Sequence, residues 1–146
     1  MLSYQHIYHA GNRADVLKHA VLCAVLSNLA RQKKPVFYVE THAARGMYDL
    51  DSKEAVKGAE YPDGIGRVLD LKNPPALFQP YLSEIQRLNP DGKLKFYPGS
   101  PALAAHYLRP NDRMAFFELH PKEHAALQDN FGNDSRIQIR KADGYR

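Results

Sequence analysis

Three acidic residues stand at or just beyond the ends of short apolar runs. Glu40 follows Val36-Phe37-Tyr38-Val39, Glu118 follows Met114-Ala115-Phe116-Phe117, and Asp143 lies just past Ile137-Gln138-Ile139. An ionised carboxylate accepts hydrogen bonds and donates none, so such residues suit a diol or an exocyclic amine. In an open α/β sheet the acid ending the second strand typically holds two ribose hydroxyls. Glu118 is placed for that, and Asp143 for an adenine amino group. Two more residues fit the same kind of ligand. Ser100 reads as the N-cap of a helix with Pro101 at its first position, where free backbone N–H groups attract a carboxylate. His42 stands in the small-residue loop Thr41-His42-Ala43-Ala44-Arg45-Gly46. Each feature is ordinary by itself, since acids end many strands and serines cap many helices.

The elements that must hold these groups follow from hydrophobic periodicity. Residues from about Ala14 to Gln32 read as a helix, with Val16, Ala20, Val21, Ala24, Leu26 and Leu29 at helical spacing and no Gly or Pro. Asp15 in the first turn and Arg31 in the last suit the helix dipole. Cys23 reads as core filler. Lys18 and His19 fall on the more polar side, facing either solvent or the loop after the first strand. Residues 49–92 are polar and turn-rich, then helical. Tyr61-Pro62-Asp63-Gly64 suggests a helix start, and Leu77, Phe78, Tyr81, Leu82, Ile85 and Leu88 mark an amphipathic helix. This block resembles a small helical insert. Alternation then resumes with the extended run Leu94–Tyr97, a helix from Ser100 to about Leu108, the strand before Glu118, a helix from His120-Pro121 to Phe131 closed by Gly132, and the strand at 137–139. Alternating strands and helices imply an α/β fold with a mostly parallel sheet. Glu40, Glu118 and Asp143 are therefore expected to line one crevice.

A crevice with these groups describes a nucleoside bearing an amino-acid tail, which is S-adenosylmethionine. A nicotinamide-dinucleotide enzyme is the weaker reading. The first loop holds only Gly46 where a dinucleotide fingerprint has three glycines, and the insert before the second acid is out of pattern. No metal is expected. His6 and His9, or His120 and His124, lack a third ligand at suitable spacing. The N-terminal residues Tyr4, His6, Tyr8, His9, Asn12 and Arg13 interleave rings with hydrogen-bonding groups. They form either a surface that stacks on bases or an arm packed on its own domain.

The 146 residues suffice for one ordinary domain. No apolar run approaches the ~20 residues of a membrane span, and no secretion signal is visible. The single cysteine forms no internal disulfide and fits a cytoplasmic protein. A net charge of +4 leans modestly toward a polyanionic partner.

The segments Leu2-Ser3-Tyr4-x-His6, His9-Ala10-Gly11-Asn12-x-Ala14-Asp15-Val16-Leu17-Lys18-His19, Thr41-His42-Ala43, Tyr97-Pro98-Gly99-Ser100-Pro101, Glu118-Leu119-His120-Pro121 and Lys141-Ala142-Asp143-Gly144 together resemble the RlmJ family. The resemblance runs from residue 2 to residue 144. It implies a bacterial S-adenosylmethionine-dependent methyltransferase that modifies N6 of an adenine (an adenine-2030 type site) in 23S ribosomal RNA. It implies a Rossmann-like core carrying an inserted helical subdomain: 1–48 as arm, helix and first strand, 49–96 as insert, 97–146 as the continuing core. By position, the family's cofactor contacts fall on His19, His42, Ser100, Glu118, Asp143 and Gly144. Its RNA-facing residues fall on Tyr4, His6 and Lys18. A monomer is expected.

Two departures from the family pattern matter. The family's first loop reads Asp-Thr-His-Ala-Gly-x-Gly-x-Tyr, whereas Glu40 and Ala44 stand here in place of the Asp and the first Gly. A methyl at 44 disfavours positive φ and is expected to reshape the loop or lower cofactor affinity. The family's catalytic Asp-Pro-Pro-Tyr, after a fourth strand, does not occur in these residues and is expected beyond Arg146. No catalytic residue is therefore expected up to Arg146, and the chain reads as a core truncated after about the third strand. The 146 residues alone are expected to be inactive. The alternative is a non-catalytic RNA-binding protein derived from the same family.

Overall fold

In the computed structural model, which describes residues 4–146, a 3₁₀ turn (His6–Tyr8) leads into helix α1 (Arg13–Leu29) and strands β1 (Phe37–Glu40) and β2 (Met47–Asp49). Helices α2 (Lys53–Gly58), α3 (Ile65–Leu69) and α4 (Gln79–Leu88) follow. Then come β3 (Phe96–Pro98), α5 (Ser100–Tyr107), β4 (Arg113–Phe117), α6 (Pro121–Phe131) and β5 (Ile137–Arg140). Leu2 and Ser3 of the N-terminal motif lie outside the described residues.

Met114, Ala115 and Phe116 are apolar on both faces, so they need cover on both sides and take the centre of a sheet. The parallel sheet runs β1-β4-β5, with Val39 opposite Ala115 and Phe116 opposite Ile139. All three strands point the same way, so the segments after Glu40, Phe117 and Arg140 gather at one edge. β1 alternates exposed and half-buried residues, as an edge strand can.

A second sheet was not foreseen. The end of the first loop forms β2, which pairs antiparallel with β3, Tyr48 opposite Tyr97. The run expected at 94–97 is therefore a strand at 96–98 that belongs to this separate two-stranded ribbon. Helices α2 to α4 lie between the two ribbon strands in sequence. The turn before β3 is held by buried Asn89, whose side chain donates to the Ile85 and Phe96 carbonyls and accepts from the Lys95 and Phe96 amides.

Helix α1 is apolar nearly all round, and its buried stripe is Asp15, Val16, His19, Ala20, Cys23 and Leu26. Its exposed face carries Leu17, Val21 and Val25, so Val21 is not core. His19 faces inward rather than lying on a solvated face, because Tyr97 offers its ring a polar partner. The helix ends at Leu29, which leaves Arg31 outside its last turn. Burial in this stripe pushes the Cys23 thiol up to about 12, so it stays an apolar filler. At the C-terminus of α6, Gly132 is the C-cap, as its position suggests, and keeps right-handed backbone.

Candidate functional site

The pocket lies at the carboxyl-terminal edge of the parallel sheet. It has a volume of about 480 Å³, within the range of sites for drug-sized ligands. Three chain segments form its floor. The loop after β1 contributes Thr41, His42, Ala43 and Ala44, the segment after β4 contributes Glu118, Leu119 and His120, and the segment after β5 contributes Ala142, Asp143 and Gly144. α1 adds Lys18 and His19, the start of α5 adds Gly99 and Ser100, and the N-terminal arm covers one side with Tyr4 and His6. His19, His42, Ser100, Glu118, Asp143, Gly144, Tyr4, His6 and Lys18 thus all line a single pocket.

Glu118 is fixed by two backbone amides. Its Oε2 accepts from Ala44 N at 2.8 Å and its Oε1 from His120 N at 2.7 Å. Each oxygen keeps a further lone pair for a ligand donor. Asp143 accepts from Tyr145 N at 3.0 Å, and His42 Nδ1 lies 3.0 Å from Thr41 Oγ1. Gly144 permits a close approach. A Cβ there would sit 2.5 Å from the Thr41 carbonyl oxygen, so any side chain would push the β5 loop away from the β1 loop and open the floor.

Arg146, the residue beyond which the catalytic motif is expected, is not among the lining residues and takes no part in the site's floor. Its amide donates to the Asp143 carbonyl at 3.2 Å, and its Nε lies 3.5 Å from Asp143 Oδ2. The Arg146 side chain is otherwise exposed, so it meets the turn after β5 from outside the pocket.

Glu40 is not among the lining residues either, which corrects the expectation of three acids in one crevice. Its carboxylate accepts from the Tyr38 hydroxyl at 2.5 Å and from Ser100 Oγ at 3.0 Å. Burial pushes the Glu40 carboxyl up, although both hydrogen bonds oppose that shift. The expected Ser100 cap is likewise corrected. α5 begins at Ser100 itself, Gly99 is the N-cap, and no side chain caps the helix, because the Ser100 hydroxyl is spent on Glu40. The α5 N-terminus therefore borders the pocket without a side-chain cap.

The loop keeps positive φ in spite of its methyl group. Ala44 sits at φ 50° and Gly46 at φ 73°. The turned backbone aims Ala44 N–H at Glu118, and Arg45 anchors the loop to α6 through a bidentate pair with buried Glu123 (2.9 and 2.5 Å).

The arm is organised by Asp15, which the sequence marks as a first-turn acid but not as a hub. Asp15 is buried, and its carboxylate meets His6 Nε2 at 2.8 Å, Gly11 N at 3.0 Å and Lys18 Nζ at 2.8 Å. Burial opposes its charge, yet the His6 and Lys18 contacts outweigh it and hold the carboxyl well below the usual range. His6 Nδ1 in turn meets the Tyr4 hydroxyl at 2.7 Å, and the Tyr4 ring stacks on His9 with centroids 5.5 Å apart. The arm is thus packed on its own domain while Tyr4 stays 64% exposed. The i, i+3 spacing of Asp15 and Lys18 was the one sequence signal for this hub.

His19 is 1% exposed. Burial, the largest influence, pushes its imidazole down to about 3, so the ring is neutral. Among the described residues, its Nε2 is the only buried side-chain polar atom without a partner. Among the described residues no cluster of three or more His, Cys, Asp or Glu is arranged to hold a metal ion, and no helix is long and apolar enough to cross a membrane.

A parallel α/β sheet with a pocket beyond its strand ends, roofed by an aromatic and basic arm, is a methyltransferase-like arrangement. The family model described as "Ribosomal RNA large subunit methyltransferase D, RlmJ" matches residues 33–146, and the chain belongs to the RlmJ family. The ribosomal RNA large subunit methyltransferase J of Escherichia coli (strain K12) is 42% identical over 146 residues, an alignment covering 100% of this chain and 52% of the relative. The enzyme of the same name from Haemophilus influenzae Rd is 44% identical over 147 residues, again covering 100% and 52%. The chain spans about half the length of these relatives. A crystal structure of a protein from Legionella pneumophila superposes with a TM-score of 0.83 at 42% identity, covering 93% of this chain and 50% of that one.

Proposed function

We propose that this chain contributes the cofactor pocket and the RNA-facing arm of an S-adenosylmethionine-dependent methyltransferase acting on adenine N6 in 23S ribosomal RNA. The observation that carries the reading is the convergence of His19, His42, Ser100, Glu118, Asp143 and Gly144 on one pocket beside Tyr4, His6 and Lys18.

The residues present suit the cofactor. Glu118, held by two amides, offers acceptors to a ribose diol. Asp143 offers acceptors to an amino group, and the close Gly144–Thr41 approach keeps the floor of the pocket closed beneath an adenine ring. The neutral His19 ring, the Lys18 ammonium and the uncapped start of α5 suit the amino-acid tail. When bound, the cofactor supplies an electrophilic methyl group. Tyr4 offers an exposed ring on which a base can stack, and the Asp15–His6 pair orients its hydroxyl. The span between β2 and β3 reads as an inserted helical subdomain, because pairing of those strands closes the excursion at its base.

Adenine N6 is a weak nucleophile because its lone pair is delocalised into the ring. Transfer therefore needs acceptors for its hydrogens and an aromatic face for the flipped base. The Asp-Pro-Pro-Tyr motif that supplies these in the family is absent from these 146 residues. By themselves they are expected to bind cofactor without methylating RNA.

Calorimetry with S-adenosylhomocysteine tests the reading. Binding is expected for the chain, weakened about tenfold or more in Glu118→Ala, which removes two charge-assisted hydrogen bonds to a buried diol. No binding by the wild-type chain, with RNA binding retained, would instead favour the non-catalytic RNA-binding role.

A further inference from the structure

His19 Nδ1 lies 2.8 Å from the Tyr97 hydroxyl, and that hydroxyl lies 2.9 Å from the hydroxyl of Tyr81. Tyr97 and Tyr81 are both fully buried. Among the described residues the Tyr81 hydroxyl has no other hydrogen-bond partner. The chain of three groups therefore has a closed end at Tyr81 and an open end at the pocket.

Counting protons along this chain decides its direction. If Tyr81 donates to Tyr97 and Tyr97 donates to His19 Nδ1, each hydroxyl proton finds an acceptor, and the imidazole carries its own proton on Nε2. If the direction is reversed, Nδ1–H donates to Tyr97 and Tyr97 donates to Tyr81. The Tyr81 proton then points into a buried space with no acceptor, at a cost of about 1–3 kcal/mol. The first arrangement also leaves one donor, Nε2–H, without a protein acceptor, but His19 lines the pocket and Tyr81 does not, so only that donor can be met by water or a ligand entering the pocket. A neutral imidazole has one donor and one acceptor nitrogen, so the first arrangement makes Nε2 a donor. That nitrogen is the buried atom left without a partner, on a residue that lines the pocket.

We propose that Tyr97, backed by Tyr81, is a positioning residue that locks His19 in the Nε2–H tautomer, so that the pocket selects a hydrogen-bond acceptor there: a carboxylate oxygen of the ligand's amino-acid tail. The proposal rests on the cofactor reading for the identity of the ligand but not for the tautomer. The surroundings agree with an anionic group. Lys18 lines the same wall from the next position of α1, and the uncapped start of α5 borders it. Of the carboxylates nearby, Asp15 is shared between Lys18 and His6, Glu40 is engaged by Tyr38 and Ser100, and Glu118 and Asp143 lie on the segments after β4 and β5.

Two measurements test the proposal. Long-range ¹⁵N–¹H correlation spectra of the ligand-free chain are expected to show a protonated Nε2 and an unprotonated Nδ1 for His19. The reverse pattern overturns the proposal. In Tyr97→Phe the lock is removed, and both tautomers are expected to appear. Tyr81→Phe, in which Tyr97 still donates, is expected to retain the Nε2–H form. The second measurement compares S-adenosylhomocysteine with 5′-methylthioadenosine, which has no carboxylate. Tyr97→Phe is expected to weaken the first roughly 5- to 10-fold, about one hydrogen bond, and to leave the second unchanged. An equal loss for both compounds would mean that Tyr97 only supports the fold, and would overturn the proposal. If the wild-type chain bound neither compound, the cofactor reading would fail and the spectra alone would decide the tautomer.

Discussion

Ala44 holds left-handed backbone at φ 50°, and Ala59, the C-cap of α2, shares the same φ. For a residue with a Cβ this conformation costs about 1–2 kcal/mol through the clash with the following carbonyl. Glycine removes the clash, but its looser unfolded chain takes back about 0.4–1 kcal/mol. Ala44→Gly should therefore stabilise the chain by about 0.5–1 kcal/mol. For a domain of this size that is a rise of about 1–4 °C in Tm. The backbone N–H that donates to Glu118 is retained, so affinity for S-adenosylhomocysteine should not fall. Ala59→Gly, remote from the pocket, should stabilise by a similar amount and serves as the reference. Urea titrations of the wild type and both variants, with calorimetry on Ala44→Gly, provide the assay. If Ala59→Gly stabilised the chain while Ala44→Gly was neutral or destabilising, the loop would not be strained as its φ implies, and the reasoning would fail.

Three further outcomes are expected. Buried His19 titrates near 3 when folded and near its ordinary 6.5 when unfolded, so the unfolded chain takes up the proton first as pH falls. Its contribution to stability is complete above pH 6.5 and is lost progressively toward pH 3, at about 1 kcal/mol per pH unit, a slope that urea titrations should find reduced in His19→Gln. Gly46→Ala places a Cβ 2.5 Å from the Phe131 ring and 3.0 Å from Pro101 Cβ at φ 73°, and should cost about 2–5 kcal/mol in a thermal melt. Tyr4→Ala removes an exposed ring and should change stability by less than about 0.5 kcal/mol. In a hybrid where residues 1–146 replace the matching part of the E. coli relative, the same change should abolish rRNA methylation and leave cofactor binding intact.

The parallel sheet was legible because Met114-Ala115-Phe116 is continuous apolar sequence and the flanking helices carry their own start and stop signals. The amphipathic helix over α4 was legible for the same reason. The ribbon of β2 and β3 was not. Met47–Asp49 is three residues long and pairs with a distant segment, Met47 opposite Pro98, so no local pattern announces it. The inward face of α1 was misjudged because Leu17, Val21 and Val25 are as apolar as the residues that are buried. Periodicity cannot choose a face when both faces are hydrophobic.

By itself the sequence determined the alternation of strands and helices, the placement of Glu118 and Asp143 at strand ends, and the family. These depend on side-chain types and local spacing. The tertiary structure decided which groups are free to meet a ligand. It tied Ser100 to Glu40, 60 positions apart, and so took both hydroxyl and carboxylate out of the expected roles. It buried Asp15 beneath His6 and Lys18, and it set Tyr97 against His19 across 78 positions. A hydrogen-bonding side chain is committed by whichever partner packing brings within about 3 Å. That distance is fixed only once the elements have closed on one another.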